Sequence, residues 1–315
     1  MLSLSLGVNA FQKTQKSLNG LTGVYGYVAG QEATLNRIKS LFPELKSDVE
    51  FVQLEVETVY PNIKSKTSSK IIELAGAEGE SMLSLLDKKI QEFSSNELTK
   101  ANAIRFLSTV RSRSAGNIEN PETKMFLLAI NNFDNPVSEM SSNKIVKFNT
   151  KSEEKAKGIE LSISLPSSWE ERQGNTPNTV RTWTSEAGSG LSFISLLVLN
   201  SDDFMNKNII KSRIESKNLQ GLVPPNLNTL NIFQTDVSNQ PGWMFTAEVK
   251  TKRLENEIFM NLKTLNVFYK GKIIQLSCTS GGPLSDIDDI KKEFRRTEGV
   301  CKYVHNSFII DSVFK

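Results

Sequence analysis

Three side chains near the C-terminus have types and spacing that could do chemistry: Cys278, Cys301 and His305. Cys301 and His305 stand four positions apart, so on a helix they share a face. A thiol beside an imidazole can act as nucleophile and base, and with Cys278 the set offers three zinc ligands. His305 is the only histidine, so every serine–histidine hydrolase reading must also run through it. A metal site would need a carboxylate and supporting partners besides, and no recognisable motif supplies them. The plainer reading is a partly exposed helix histidine. Two cysteines with 22 residues between them have a simpler use, a disulfide. Closing that loop would contribute about 3 kcal/mol, mainly through the unfolded chain. Two buried free thiols are the alternative. The expectation is a Cys278–Cys301 bridge, no catalytic residue, no metal and no cofactor.

Thr279-Ser-Gly-Gly-Pro-Leu-Ser285 precedes a helical stretch and could cradle an anion on backbone N–H groups. It lacks the phosphate-loop lysine and the dinucleotide spacing. Ser285 and Asp288 fit a helix cap better, with Asp286, Asp288 and Asp289 where the helix dipole favours negative charge. No glycine-centred loop organises these aspartates for a divalent cation. Gly188-Ser-Gly190 falls short of the five-residue nucleophile elbow and reads as a strand connection. Trp169, Trp183 and Trp243 each fall at or near a strand end, where a ring can line a cleft. With His305 they are the candidate ligand or partner contacts, against the commoner fate of core packing. Arg111 with Arg113, Lys250 with Lys252 and Arg253, and Arg295 with Arg296 read as solvated faces.

Length and composition bound what these residues can belong to. A chain of 315 residues suits two domains. With 38 basic against 35 acidic residues the net charge is only +3, which argues against a dedicated nucleic-acid binder. No apolar run is long enough to cross a bilayer. Residues 1–10 resemble the end of a signal peptide, with Leu2, Leu4 and Leu6 in the apolar stretch and Val8 and Ala10 at a cleavage site. The true start would then lie upstream of Met1. The expected location is periplasmic or secreted, with cytoplasmic as the alternative.

The elements that must position these residues fall into two groups. Residues 11 to about 30 are rich in Gly and Ser with little period. Leu35, Ile38, Phe42, Leu45, Val49, Val52, Val56 and Val59 then recur at steps of three and four, one helical stripe, with Pro43 starting a second helix. Further helices are predicted at 68–75 and 80–93, the latter with Met82, Leu83, Leu86, Ile90 and Phe93 on one face. Another opens on a capping box at Ser94–Glu97, with Leu98, Ala101, Ile104, Leu107 and Val110, and ends at 114–117. Residues 11–120 therefore predict a helical bundle. Residues 121–157 read as a connecting strand, Met125–Ile130, and a linker.

From residue 158 the period changes to two. Ile159, Leu161, Ile163 and Leu165 alternate with polar residues. Strands are predicted at 179–184, 191–199, 230–237 and 243–249, and a helix at 202–219. In the strand 257–269 the apolar parity switches, which predicts a bulge near Lys263 or Thr264. Lys270-Gly271 turns the chain into a hairpin with 273–279. A helix from Ser285 to about Thr297, a turn at 300–305 and a closing strand at 307–310 complete the list.

The segment Gly158-Ile-Glu-Leu-Ser-Ile-Ser-Leu-Pro-Ser-Ser-Trp169, the Tyr269–Cys278 hairpin, the helix after it and Asn306-Ser-Phe-Ile-Ile310 follow an order that resembles the PsbP-like superfamily. The resemblance covers about residues 145–315. It implies an antiparallel sheet between helical layers, so the fold expected for the chain is α+β: a helical bundle over 11–120, then a PsbP-like sandwich over 158–315. It also implies a non-enzymatic accessory or binding protein, and no shared functional residues come with it. The expected function is an exported envelope or periplasmic protein that binds a protein partner or small ligand. The alternatives are a hydrolase using Cys301 or a serine with His305, and a structural assembly factor. The first needs His305 in an open cleft, and the second an exposed apolar patch on the bundle.

Overall fold

The computed structural model describes residues 11–93, 97–142, 144–201, 207–253 and 256–314. The signal-like segment 1–10, and Ser94, Ser95 and Asn96 of the expected capping box, lie outside them. The chain divides into two compact units, 11–133 and 134–315.

The first unit is helical: α1 Gln15–Leu41, α2 Lys46–Val59, α3 Ile63–Ala75, α4 Ala77–Phe93, α5 Lys100–Ser114 and α6 Pro121–Asn131. The long stripe predicted from Leu35 onward is present, broken at Phe42 by a short 3₁₀ turn with Pro43 at its start. Leu35, Ile38, Leu45, Val49 and Val52 pack with Ala103, Leu107 and Val110 of α5 in one buried cluster. α1 begins well before the expected stripe, at a Thr14 cap whose side chain accepts from Ser17 N. Its glycines hid it, and one is required: a Cβ on Gly20 would overlap the Phe126 ring. α5 is capped by Thr99, whose side chain accepts from Asn102 N. Its apolar face also differs from expectation, since Ile104 is exposed and Ala103 is buried. In α4 only Leu83 among the expected face is buried, and Phe93 is 75% exposed.

Met125–Ile130 is helix, not the expected strand. Asn120 caps it through Thr123 N, and Pro121 occupies the first turn. Residues Phe126 to Ile130 are all buried, so a helix covered on every side mimics the continuous apolar run of a strand.

The second unit opens with a short helix, α7 Val137–Ser141, and a two-stranded ribbon of β1 Ile145–Asn149 and β2 Ser162–Pro166. A seven-stranded antiparallel sheet follows in the order β3-β4-β5-β9-β8-β7-β6. Its strands are β3 Glu170–Gln173, β4 Thr179–Thr184, β5 Ser192–Asn200, β6 Asn228–Val237, β7 Gln240–Arg253, β8 Asn256–Tyr269 and β9 Lys272–Pro283. Helix α8, Lys207–Glu215, and a 3₁₀ turn at Leu219–Leu222 precede β6, and α9, Ile287–Asn306, follows β9. The architecture is α+β, as expected.

Four details correct the sequence reading. The alternating strand at 158–166 pairs with β1, and Ile309 bridges to Ser162 of that ribbon, so neither belongs to the large sheet. α9 is one continuous helix through His305. No side chain caps it, and Ser285 Oγ bonds Asp286 instead of closing a box with Asp288. β8 holds unbroken register with β7 and β9, so it carries no bulge. Its parity switch comes from burial on both faces: Leu265, Val267 and Tyr269 enter the core under α9, while Leu262 and Phe268 enter the core under α8. The Lys270–Gly271 turn is as predicted, both residues having positive φ (49° and 69°) with Tyr269 opposite Lys272.

Candidate functional site

The expected chemical cluster does assemble, but inside the core. Cys278 on β9 and Cys301 and His305 on α9 are 1%, 3% and 5% exposed. The two cysteines are free thiols in this structure. Burial pushes the Cys278 thiol well above its usual pKa, and the Cys301 thiol pushes the same way. His305 Nε2 lies 3.1 Å from the Leu276 carbonyl and 3.9 Å from Cys278 Sγ. Donating to that carbonyl fixes the Nε2–H tautomer. Burial lowers the His305 pKa to about 4, so the ring is neutral at pH 7. A neutral thiol and a neutral imidazole in a packed core present no nucleophile to a substrate. The open cleft that a Cys–His hydrolase needs is not at His305. Among the described residues, no group of three or more Cys, His, Asp or Glu could hold a metal ion.

The three tryptophans part company. Trp169 and Trp183 pack in the core under α9, and Trp183 meets Phe148 edge-on at 5.0 Å. Its Nε1 reaches Glu171 at 3.4 Å. Trp243 points to the other face of the sheet, where it lines a cavity of about 180 Å³.

Strand register builds that cavity. Trp243 and Phe245 of β7 stand opposite Asn266 and Thr264 of β8. Those two stand in turn opposite Gln275 and Ser277 of β9, and Leu199 of β5 stands opposite Ile273. Residues of alternate positions on four neighbouring strands thus form one floor. Leu222, Pro224 and Leu227, from the segment between α8 and β6, wall it. Ile210 and Ile214 of α8 complete the apolar cluster around Trp243.

Polar groups gather at the centre of this floor. Thr264 Oγ1 and Ser277 Oγ bond at 3.0 Å, and Gln275 Nε2 donates to Ser277 Oγ at 3.1 Å. Trp243 is 1% exposed and Asn266 4% exposed. Neither Trp243 Nε1 nor Asn266 Nδ2 has a hydrogen-bond partner among the described residues. A buried donor left without a partner costs about 1–3 kcal/mol, and both atoms are sealed from contact with a water-sized group. The sequence singled out Trp243 and missed the rest. Its signal was the run of polar residues, Thr264, Asn266, Gln275 and Ser277, at alternate positions of one hairpin. That run reads as a solvated face, and the cover supplied by residues 207–227 lies too far away in sequence to be inferred.

A second polar cluster went unread. Arg296, taken for a solvated charge, bonds Glu186 Oε1 at 2.5 Å and Glu293 Oε2 at 2.7 Å. Glu293 also accepts from Ser192 Oγ at 2.9 Å, which meets Ser280 Oγ at 2.7 Å. Glu186 sits in the left-handed region (φ 49°), where a non-glycine residue is strained. Any Cβ at Gly190 would overlap its carboxylate. Burial raises the Glu186 pKa, opposed by Arg296 and assisted by Glu293. The Gly188-Ser-Gly190 turn therefore serves an internal ion-pair network. Nearby, Glu139 of α7 accepts from Ser168 N and Ser168 Oγ at 2.7 and 2.6 Å. Burial raises its pKa to about 7.

In the helical unit a wider groove of about 570 Å³ has an apolar floor that includes Val28, Leu35, Val56 and Ile63. Glu32 and Lys64, paired at 2.7 Å, stand at its rim. No helix among the described residues is long and apolar enough to cross a membrane.

No family model matches the chain, and no curated protein matches it. Solved structures do. A cyanobacterial PsbP from Synechocystis matches 53% of this chain over 92% of its own, at 14% identity and a TM-score of 0.30. The Ran-binding protein Mog1p of Saccharomyces cerevisiae matches 54% of this chain over 97% of its own, at 6% identity and a TM-score of 0.35. LpqN of Mycobacterium tuberculosis, described as involved in cell envelope biogenesis, matches 56% over 96%, at 9% identity and a TM-score of 0.30. These likenesses cover about half of the chain and say nothing of what it binds.

Proposed function

We propose that this chain is a non-enzymatic binding protein, and that the cavity on the α8 face of its sheet takes a small, largely apolar ligand. The observation that carries this is the cavity itself, about 180 Å³ walled by Leu199, Leu222, Leu227, Trp243 and Phe245 over a floor that includes Thr264, Gln275 and Ser277. A dry apolar cavity of roughly 150 Å³ is known to hold benzene, so this one has room for a single ring or a short acyl chain. The burial of Cys301 and His305 supports a binding role over a hydrolytic one. The test is a titration of the isotope-labelled protein with toluene, following the three tryptophan indole N–H resonances. The Trp243 resonance should move in a saturable way while those of Trp169 and Trp183 stay. A Trp243 signal indifferent to toluene up to its solubility limit would sink the proposal.

A protein partner is the second reading, favoured by one observation. Phe51 and Leu54 of α2 are 54% and 62% exposed and lie in one shallow depression with Val59 and Arg111. An exposed apolar patch on the bundle is what an assembly factor needs. Export to the periplasm, or secretion, with a Cys278–Cys301 bridge formed there, belongs to the same proposal. Thiol titration of the native protein in denaturant tests it. No reactive thiol supports it, and two per chain count against it.

A further inference from the structure

We infer that the open edge of the seven-stranded sheet, strand β6, docks a second copy of this chain, the two edges pairing antiparallel about a two-fold axis at Phe233. The inference is independent of the cavity and of its ligand.

The sheet ends on β3 at one side and on β6 at the other, and the two edges are built in opposite ways. β3 is four residues long and reads Glu170-Glu-Arg-Gln173, short and charged, which discourages pairing with a further strand. β6 is ten residues long and contains no lysine, arginine or proline. Its one charge is Asp236, near its end, and its one irregularity is a register shift at Leu230, near its start. Leu230 and Phe233 are 57% and 43% exposed. No strand among the described residues pairs with the outer side of β6. A long edge with an uncharged centre is a template for another strand.

Register decides which backbone groups face outward. Ser238 and Asn239 both have positive φ (51° and 59°) and join Val237 to Gln240, a two-residue hairpin turn that closes on a hydrogen-bonded pair. Such pairs alternate along an antiparallel ladder, so Asn231, Phe233, Thr235 and Val237 direct their backbone groups to β7. Ile232, Gln234 and Asp236 direct theirs outward. A second β6 must set outward-facing residues opposite one another. Placing Ile232 opposite Gln234 of the second copy satisfies both N–H and both C=O groups of these residues on each chain. It also sets Phe233 opposite its own copy in the closer kind of pair, Cα atoms about 4.5 Å apart, so that each ring covers the other. Asn231 then faces Thr235, and the two Asp236 side chains stand roughly 20 Å apart along the strands. Setting Gln234 opposite Gln234 instead would put Asp236 against Ile232 and part the two Phe233 rings. The self-pairing at Phe233 brings no like charges together, and residues 231–235 offer no charge for a partner of opposite sign to recognise. A second copy is therefore the occupant this edge fits.

Sedimentation equilibrium of the full chain, from about 10 to about 500 µM, reads the association. The mass should rise towards that of a dimer, with a dissociation constant on the order of 10–100 µM, as a short seam allows. Amide exchange over the same range reads the surface. The Ile232 and Gln234 amides should slow several-fold with concentration, while those of Phe233 and Thr235, already bonded to β7, stay as they were. Phe233→Lys and Phe233→Glu each set like charges face to face and should abolish association, and an equal mixture of the two should restore it. The exchange measurement needs no substitution and decides the matter if either variant fails to fold. A chain that stays monomeric at about 500 µM would overturn the inference and leave the edge to an extended segment of another protein. A dimer that survives in Phe233→Lys alone, or that leaves the Ile232 and Gln234 amides exchanging as before, would place the contact elsewhere and overturn it too.

Discussion

The two faces of the seven-stranded sheet are built from the same strands and end differently. Under α9 the face is packed shut: Ile194, Leu196, Val267, Ile274 and Leu276 meet Val300 and Val304 beside a buried ion-pair and hydroxyl network, with Glu186 Oε2 and His305 Nδ1 left without a partner among the described residues. Under α8 the cover among the described residues is a short helix and a 3₁₀ turn, and a cavity of about 180 Å³ remains. A twenty-residue amphipathic helix supplies enough side chains to fill a sheet face, and a nine-residue helix with a loop does not. Room for a ligand on one side is therefore a consequence of unequal cover. Chemistry follows the same division, because the potentially reactive groups lie on the sealed face and the candidate binding groups on the open one.

The largest effect that would test this contrast is on the sealed face. Arg296→Met leaves Glu186 and Glu293 buried together without a countercharge and should lower stability by about 3–5 kcal/mol in urea unfolding. A loss under about 1 kcal/mol would mean that the network is not closed.

The pH dependence comes next. Glu139 titrates at about 7 when folded against 4.5 in its reference state, so between those values the folded protein holds the extra proton. Its contribution is therefore present below pH 4.5 and lost as pH rises through 7, on the order of 3 kcal/mol. His305 has the opposite sign. Its folded pKa of about 4 lies below 6.5, so its contribution is present above pH 6.5 and lost as pH falls towards 4. Glu139→Gln should flatten the alkaline decline and His305→Gln the acid one. Stability measured from pH 4 to 8 that is unchanged in slope by either variant would contradict the burial of these groups.

What the sequence made legible was whatever depends on near neighbours. The α1–α2 stripe, the β2 alternation and the Lys270–Gly271 turn are all local signals, and all three were read correctly. Errors came where burial on several sides erased the period: the α6 helix, taken as a strand, and β8, taken as bulged. Of the candidate site, Trp243 could be named because of its residue type. Asn266 could not, since a polar residue at an alternate strand position announces solvent until a distant segment covers it. Arg296 was misread for the same reason, its partners Glu186 and Glu293 being visible only in three dimensions.

Smaller effects separate the faces more finely. Ser192→Ala removes a hydroxyl that bonds Ser280 and Glu293 and should cost about 1–3 kcal/mol in the same unfolding assay. Asn266→Leu, on the open face, removes a donor that has no partner and should leave stability within about 1 kcal/mol of the parent, or raise it. If the order of these two were reversed, the description of the open face as partly unsatisfied would be wrong.

The strand order β3-β4-β5-β9-β8-β7-β6 is two meanders that meet along a single seam, β5 against β9. Each meander is made of neighbours in sequence, whereas the seam closes a loop that contains the whole of β6, β7 and β8. Assembly should consequently proceed as two nuclei that zip together late. A chain severed between β5 and β6 would then yield two fragments, each with its own complete set of turns, able to recombine along that seam and the Ser162–Ile309 bridge.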